Sequence, residues 1–231
     1  MFNKIIFTNT LGIDTLEKPV LAKNTIPDWY KNTQSYINGE KKPIGDGKID
    51  STIKRCMPVF DAMASGYIIK TYADIYTENY GGIREYQWHG LNILENHPLE
   101  QAPLHPAKTD VDTKFPKFIN PWSIKTPKGY SCLFTAPMHR DLPFDVFPGI
   151  VDTDKYTAPV NIIFTITDPS FEGFIPAGTP IVQVIPFKRD NWEMGIGGEK
   201  EIKETKDIRD MLDARFFDRY KNLFRAERKF K

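Results

Sequence analysis

The chain has 231 residues, of which 40% are hydrophobic and 26% are charged. Its 31 Lys and Arg residues balance 30 Asp and Glu residues, which leaves a formal net charge of +1. This balance argues against a globally basic nucleic-acid binder and against a highly charged disordered chain. The length fits one large domain, or one domain with extensions.

The sequence shows neither a secretion signal nor a membrane span. The first residues become polar before a signal-peptide core forms, and no apolar run approaches the roughly 20 residues that a bilayer requires. The two cysteines, Cys56 and Cys132, lack metal-binding spacing. Both are predicted to be small buried hydrophobic residues. A reduced, cytoplasmic protein without a membrane contact is expected.

The N-terminal part is predicted to be an irregular, partly helical arm over residues 1–48, with a strand at 4–8 and a helical turn at 26–30. The pattern over residues 49–65 then predicts a helix. Pro58 must kink this helix or start a second one, and Gly66 suits the left-handed position after a helix end.

A body of short strands is predicted next, because aromatic residues favour strands and Pro and Gly favour turns. A hairpin is expected around Gly81-Gly82, and residues 92–118 are expected to be an inserted connector. Residues 127–129 read as a tight turn between two strands. Buried strands are predicted over 159–167 and 181–185.

The C-terminal part is predicted to be a long amphipathic helix over about residues 204–230. Its acidic start and basic end complement the helix dipole. Its apolar stripe would pack against the body or a neighbouring subunit, although the basic end could instead touch nucleic acid or an acidic partner. The predicted division is therefore an arm (1–48), a β-rich core (49–192) and a C-terminal linker with a helix (193–231).

Three sequence blocks in the β-rich core could carry chemistry: residues 123–131, 149–156 and 177–185. In the second block Asp152 follows Ile150 and Val151, so partial burial could raise the pKa of its carboxyl and make it a base. It could equally cap the turn by accepting hydrogen bonds from nearby amides. Tyr156 could stack on a ring ligand or could be a packing residue.

The three blocks resemble the dUTPase and dCTP deaminase superfamily, whose fold is a β-clip. Pro127, Gly129 and Tyr130 match a Pro-x-Gly-Tyr turn of that family. Its pyrimidine-cupping Gly-Val-Ile-Asp-x-x-Tyr loop is similar to residues 149–156, and its Gly-Asp-x-Ile-Ala-Gln-Leu strand to residues 178–184. The blocks are also similar to an uncharacterised family associated with bacteriophages.

The resemblance implies a mainly β fold with a β-clip core and a homotrimer with sites between subunits. It implies that Asp152 is the catalytic acid that orients water and that Tyr156 packs on the sugar. It implies four further substrate-binding residues: Gly149, Ile150, Arg140 and Gln183. Mg²⁺ could bind together with the phosphates of the nucleotide, but no metal site formed by protein side chains alone is expected.

Three functions stay open at this point. The first is a nucleotide-binding protein that hydrolyses or deaminates a pyrimidine deoxynucleotide in the cytoplasm, and the second is a binder that sequesters a nucleotide. The third is a non-catalytic trimeric structural or assembly protein, such as a virion component. Residues 137–141 carry Arg140 but lack the family's following Ser-Gly, and no glycine-rich C-terminal arm is evident. These departures argue against an efficient dUTPase and leave enzymatic activity open.

His97 and His105 invite a metal hypothesis, but a third ligand with suitable spacing is missing from the sequence pattern. A role without a metal is the simpler interpretation for them. No protein-bound metal is therefore expected.

Overall fold

Short strands separated by turns make the chain mainly β, as the sequence predicts. The computed structural model describes residues 4–40, 43–44, 48–49, 51–106, 114–213 and 220–229. The strands are β1 (Ile6–Asn9), β2 (Val20–Leu21), β3 (Pro43–Ile44), β4 (Lys48–Ile49), β5 (Tyr67–Lys70), β6 (Ile75–Tyr80), β7 (Ile83–Trp88), β8 (Leu94–Pro98), β9 (Lys114–Phe118), β10 (Trp122–Lys125), β11 (Tyr130–Thr135), β12 (Phe144–Val146), β13 (Gly149–Val151), β14 (Ile162–Ile166), β15 (Gly173–Ile175) and β16 (Pro180–Lys188). The α-helices are α1 (Asp28–Asn32), α2 (Met57–Ala64) and α3 (Glu199–Asp213).

The chain forms two compact units, each built from segments that are distant in sequence. Unit 1 contains Met1–Thr25 and Ser65–Arg189, and unit 2 contains Ile26–Ala64 and Asp190–Lys231. This division differs from the predicted one, in which residues 1–48 are an arm. The physical reason is strand pairing: β1 pairs with β10 and β2 with β5, so the first residues belong to the sheets of unit 1.

Antiparallel sheets make up unit 1. The largest has the strand order β13-β11-β16-β5-β2, and another has the order β12-β14-β9-β8. The hairpin predicted around Gly81-Gly82 is present as β6 and β7, with β15 added to its edge. Residues 92–118 are not a simple insertion, because β8 and β9 pair with each other and β9 pairs with β14.

One hydrophobic core holds these sheets together. It is formed by inward-facing residues of alternating strand positions, such as Phe118, Phe134, Phe164 and Val184, which are nearly inaccessible to solvent. Burial of such side chains contributes roughly 1.5–3 kcal/mol each. The core fixes the register of the strands, and the register determines the positions of the loops at the strand ends.

Unit 2 has a smaller apolar cluster around Tyr30 and Met63. The helix predicted over 49–65 is present as a 3-10 turn (Ile53–Arg55) followed by α2, with Pro58 in the first turn of α2, where a missing amide hydrogen is tolerated. Gly66 follows with φ +73°, as its predicted role after the helix end requires.

The C-terminal helix differs from its prediction at both ends. It begins at Glu199, the described part reaches Asp213, and a π-helical turn occupies Tyr220–Phe224. Residues 225–229 are not helical, and the first of them, Arg225, pairs with Asp61 at 2.6 Å. Phe216, which belongs to the predicted apolar stripe, lies outside the described residues. Within the described ranges, no helix is both long and apolar enough to cross a membrane.

Candidate functional site

The loop after β13 and the turn before β11 meet at one end of the largest sheet. The turn at residues 127–129 is present, with the Tyr130 amide donating to the Pro127 carbonyl at 3.2 Å. Gly129 adopts φ +86°, which a residue with a side chain adopts only at a cost. In the loop, the amides of Lys155 and Tyr156 donate to the Asp152 carbonyl at 2.9 and 2.8 Å. This arrangement makes residues 152–156 one helix-like turn.

Thr153 anchors that loop in the core. Its side chain is fully buried, and its hydroxyl lies 2.8 Å from that of Thr126 and donates to the Cys132 sulfur at 3.3 Å. Burial raises the pKa of the Cys132 thiol. Cys132 is therefore a packing residue, as predicted, whereas Cys56 is exposed and the prediction of its burial is wrong.

Asp154 and Arg189 form the central ion pair of this site. The Arg189 Nη1 and Nη2 groups donate to the two carboxylate oxygens of Asp154 at 2.8 and 2.5 Å. The Gly129 amide donates to Asp154 Oδ2 at 2.8 Å, and the Asp154 side chain is only 4% exposed. The bonds from Arg189 and Gly129 hold the pKa of Asp154 far below its usual range, and Asp154 raises the pKa of Arg189. Both groups therefore stay ionised and hold the turn, the loop and the end of β16 together.

Asp152 lies beside this pair and is more accessible. Its Oδ1 accepts a hydrogen bond from the Ser131 hydroxyl at 2.7 Å and lies 3.1 Å from Arg189 Nη1, while its side chain is 48% exposed. The Ser131 hydrogen bond, followed by the positive charge of Arg189, lowers the pKa of Asp152 despite some desolvation. The prediction of a raised pKa is therefore wrong. At neutral pH Asp152 is a carboxylate that can accept a hydrogen bond and orient water.

The other predicted residues of the loop face solvent. Ile150 and Tyr156 have exposures of 66% and 52%. Gly149 and Ile150 lie in β13, which is an edge strand of its sheet and pairs with Phe134 and Leu133. An edge strand offers main-chain donors and acceptors to a ligand. The structure therefore places Asp152, Gly149, Ile150 and Tyr156 on one accessible loop and edge.

Gln183 has a different environment. It is fully buried, its Nε2 donates to the Ser65 carbonyl at 2.7 Å, and its Oε1 accepts from the Met138 amide at 3.0 Å. Its amide thus satisfies main-chain groups. Ser131, the residue of β11 that contacts Asp152, pairs with Phe187. Thr135, further along the same strand, pairs with Gln183. Ser131 and Thr135 are four steps along the strand apart, or roughly 13 Å. Because Gln183 is also fully buried, it does not share an accessible cleft with Asp152 within one chain.

Arg140 lies near the Gln183 end. Its Nη2 donates to the Thr25 hydroxyl at 3.1 Å. Its Nε and Nη1 are buried and have no hydrogen-bond partner in the described part of the chain. Desolvation lowers the pKa of this guanidinium. Arg140 therefore retains donors that an anionic group would satisfy.

Sequence reasoning missed Ser131 and Arg189 and did not separate Asp154 from Asp152. Ser131 lay within the first block, but nothing local indicated that its hydroxyl meets Asp152. Arg189 has no motif around it. Only the pairing of Tyr130 with Lys188 brings Arg189 to this loop, and that pairing is a long-range property of the sheet.

His105 of the connector packs against an aromatic ring. The ring of His105 stacks on Phe147 with centroids 3.9 Å apart and planes 11° apart, so packing explains it. Among the residues that the structure describes, no three His, Cys, Asp or Glu side chains are grouped to hold a metal.

No protein-family model matches the sequence, and no curated protein shows significant similarity to it.

Proposed function

We propose that this chain is a nucleotide-binding protein with a dUTPase-like β-clip core, and that its site forms between copies of a homotrimer. The ionised, half-exposed carboxylate of Asp152, on the same loop as the exposed ring of Tyr156, is the observation that supports it best. A ligand with a ring and a polar edge fits such a loop.

The separation of the predicted residues favours a shared site. Asp152 and Tyr156 lie at one end of β11, and Arg140 lies at the other, where Gln183 binds the Met138 amide. In the proposed trimer, the loop of one copy approaches the Arg140 end of its neighbour. Gly149 and Ile150 present the main-chain groups of β13 to the base, and Tyr156 packs on the sugar.

The phosphates are assigned to Arg140. A phosphate oxygen would satisfy the unpaired Nε and Nη1 of its guanidinium. Gln183 acts here as a positioning residue, because it holds the main chain at Met138, two residues before Arg140. Mg²⁺ would bind with the nucleotide, since phosphates and water supply the oxygen ligands that it prefers.

In the hydrolytic version of the proposal Asp152 orients the attacking water. Ser131 and Arg189 both occupy its Oδ1, which fixes the carboxylate and leaves Oδ2 for water. Water then attacks a phosphorus atom, the phosphoanhydride bond breaks, and pyrophosphate leaves. A protein that binds without turnover would keep the same contacts.

Thermal unfolding with a panel of deoxynucleotides tests the proposal, with and without Mg²⁺. A ligand that binds only the folded state stabilises it by about 2.7 kcal/mol at a hundred times its Kd, which raises the melting temperature by several degrees. Asp152→Asn should reduce the shift, while the exposed control Asp207→Asn should not. Absence of a shift with every nucleotide would exclude the proposal, and release of pyrophosphate or ammonia separates an enzyme from a binder.

Mixed trimers test the shared site. Asp152→Asn and Arg140→Met each alter one half of it, so each variant alone should bind nucleotide more weakly than the wild type. Unfolding and refolding the two variants together produces some sites with both halves intact, and nucleotide binding should partly return. If binding does not return while size-exclusion chromatography shows mixed trimers, the site is not shared between copies.

A structural or assembly role is the second candidate, and a separate observation favours it. In unit 2, Trp192, Met194 and Ile196 lie in the irregular segment before α3 and are 90%, 87% and 89% exposed. Isolated exposed apolar residues are common, but three within five residues form an exposed apolar stretch. A triple Ser variant at these positions should lose self-assembly or particle incorporation, as measured by sedimentation, if this role holds.

A further inference from the structure

An aromatic pocket lies on the three-stranded sheet of unit 1, away from Asp152 in the sequence and in the sheet order. In the register of β15, β6 and β7, Phe174 pairs with Tyr76 and Tyr76 pairs with Gln87. The neighbouring row contains Ile75 and Ile175, which are buried in the core. Because strand side chains alternate, the Phe174–Tyr76–Gln87 row faces outward.

The rings in this row form an open wedge. The centroids of Tyr76 and Phe174 are 4.9 Å apart, and their planes are tilted by 48°. Phe174 is 65% exposed, so most of its ring is accessible to a ligand. The cavity beside them has a volume of about 420 Å³ and is lined by Asp74, Tyr76, Gln87, Trp88, His89 and Phe174.

Hydrogen bonds hold two polar side chains of the pocket, Asp74 and Gln87, in place, and the Trp88 indole and the His89 imidazole also line it. Asp74 Oδ1 accepts a hydrogen bond from the Ala177 amide at 2.7 Å, which fixes the carboxylate. Gln87 Nε2 donates to Glu78 Oε1 at 2.7 Å, which ties the amide nitrogen away from a ligand and adds a second acid near the rim. Neither Lys nor Arg is among the residues that line this described cavity. The pocket therefore combines π faces with negative charge.

From this combination we infer that the pocket binds an organic cation with an alkylated ammonium group. Aromatic faces attract a cation by their quadrupole, and a quaternary ammonium suits them best because it is weakly hydrated. The Asp74 carboxylate adds a direct charge interaction and disfavours phosphates and other anions. This ligand class separates the pocket from the nucleotide site proposed above. A methylated lysine side chain or a choline-like head group has the right size and charge.

A charged and a neutral ligand of the same shape distinguish this inference from simple apolar binding. Choline is the probe, and 3,3-dimethylbutan-1-ol is its neutral isostere. Isothermal titration should show that choline binds and that the isostere binds at least tenfold more weakly. Equal binding of the two would overturn the inference, as would the absence of choline binding. Displacement of choline by a neutral monosaccharide would reassign the pocket to carbohydrate.

Three variants locate the binding to these residues. Phe174→Ala should weaken choline binding by about 2- to 5-fold, which is the range expected for a lost cation–π contact at an exposed site. Asp74→Asn keeps an oxygen that can accept the Ala177 amide but removes the charge, and should weaken choline binding without changing the isostere. Tyr80→Ala removes a ring that is 79% exposed on β6 but outside the pocket, and should change neither.

Both ring substitutions affect exposed side chains, so the folded state should survive them. Thermal unfolding of each variant checks this point. An unchanged choline Kd in folded Phe174→Ala or Asp74→Asn would overturn the inference. A loss of choline binding in Tyr80→Ala of the same size would also do so, because the effect would then not be local to the pocket.

Discussion

Arg189 and Asp154 are joined by two parallel hydrogen bonds that hold the loop after β13 against the turn before β11. Bidentate pairing of this kind is specific in geometry as well as in charge. The pair explains why the loop carrying Asp152 has a defined shape although Asp152 and Tyr156 are accessible. It also makes Asp154 one of the carboxylates on which the acid stability of the protein depends.

The pH dependence of unfolding should reveal the Asp154 pair. The pKa of Asp154 is lower in the folded state than the value of about 3.9 for an unfolded chain. Its contribution to stability is therefore complete above about pH 4 and is lost as the pH falls below that value. Asp154→Asn should lower the melting temperature at pH 7 and should flatten its decrease below pH 4. If the variant and the wild type lose stability in parallel below pH 4, Asp154 is not the group responsible.

Gly66 should tolerate no side chain. A Cβ at this position would lie 2.1 Å from the Val184 carbonyl oxygen, and φ is +73°. Gly66→Ala therefore requires a shift of β16 and should destabilise the protein by more than about 3 kcal/mol. Gly81 also has a positive φ, +60°, but open space surrounds it. Gly81→Ala should cost only about 1–2 kcal/mol, so similar urea midpoints for the two variants would contradict the close contact.

Gln183 should stabilise the folded protein whether or not a nucleotide binds. Gln183→Leu removes the hydrogen bonds that the Gln183 amide makes with the Ser65 carbonyl and the Met138 amide. A buried unsatisfied group costs about 1–3 kcal/mol, so the urea unfolding free energy should fall by about 2–4 kcal/mol. Gln101→Leu, at an exposed position, is the matched control. A neutral result for Gln183→Leu would mean that its amide is free for another role.

The two thiols should differ in reactivity. Cys56 is exposed, whereas Cys132 is buried and its thiol has a raised pKa. A thiol reagent should therefore modify Cys56 in the native protein and reach Cys132 only after unfolding. Counting modified thiols by mass spectrometry, with and without denaturant, measures this difference. Rapid native modification of Cys132 would show that the Thr126–Thr153 region opens.

Arg225 should stabilise unit 2 through its pairing with Asp61. Its Nε and Nη2 donate to the two oxygens of Asp61 at 3.0 and 2.6 Å, and the Asp61 side chain is 6% exposed. Arg225→Met leaves a buried carboxylate, although Arg228 remains 3.4 Å from it. We expect a loss of about 2 kcal/mol in the unfolding free energy, at the low end for a broken buried pair. Arg228→Met should cost less, and the opposite order would contradict the assignment.

Local features of the fold could be predicted from the sequence, but its pairings could not. Gly66, the hairpin at Gly81-Gly82 and the turn at 127–129 all follow from backbone chemistry that each segment carries by itself. The turn at 127–129 nevertheless does not join two paired strands, because β10 pairs with β1 while β11 pairs with β13 and β16. The sequence of a turn determines where the chain changes direction. Which strands then pair depends on how apolar residues from the whole chain are buried together.

The same limit applies to the site. The resemblance selected Asp152 and Tyr156, and both lie on an accessible loop as expected of ligand-binding residues. Gln183 has an apolar sequence neighbourhood that fits a buried strand equally well, and burial is what the structure shows. Arg189 escaped notice because its role depends on where β16 ends relative to β11. The direction of the pKa shift of the Asp152 carboxyl could not be predicted from the sequence. It depends on Ser131 and Arg189, which lie beside Asp152 only in the folded chain.

The position of β16 has a consequence for how the protein is made. β16 follows all the other strands in the chain, yet it lies between β11 and β5 in the largest sheet. During translation β5 and β11 leave the ribosome long before the nine-residue strand that separates them. Their edges stay unpaired in this sheet until then, and unpaired strand edges are able to pair with other chains. The largest sheet of unit 1 therefore cannot be completed before β16 has been synthesised.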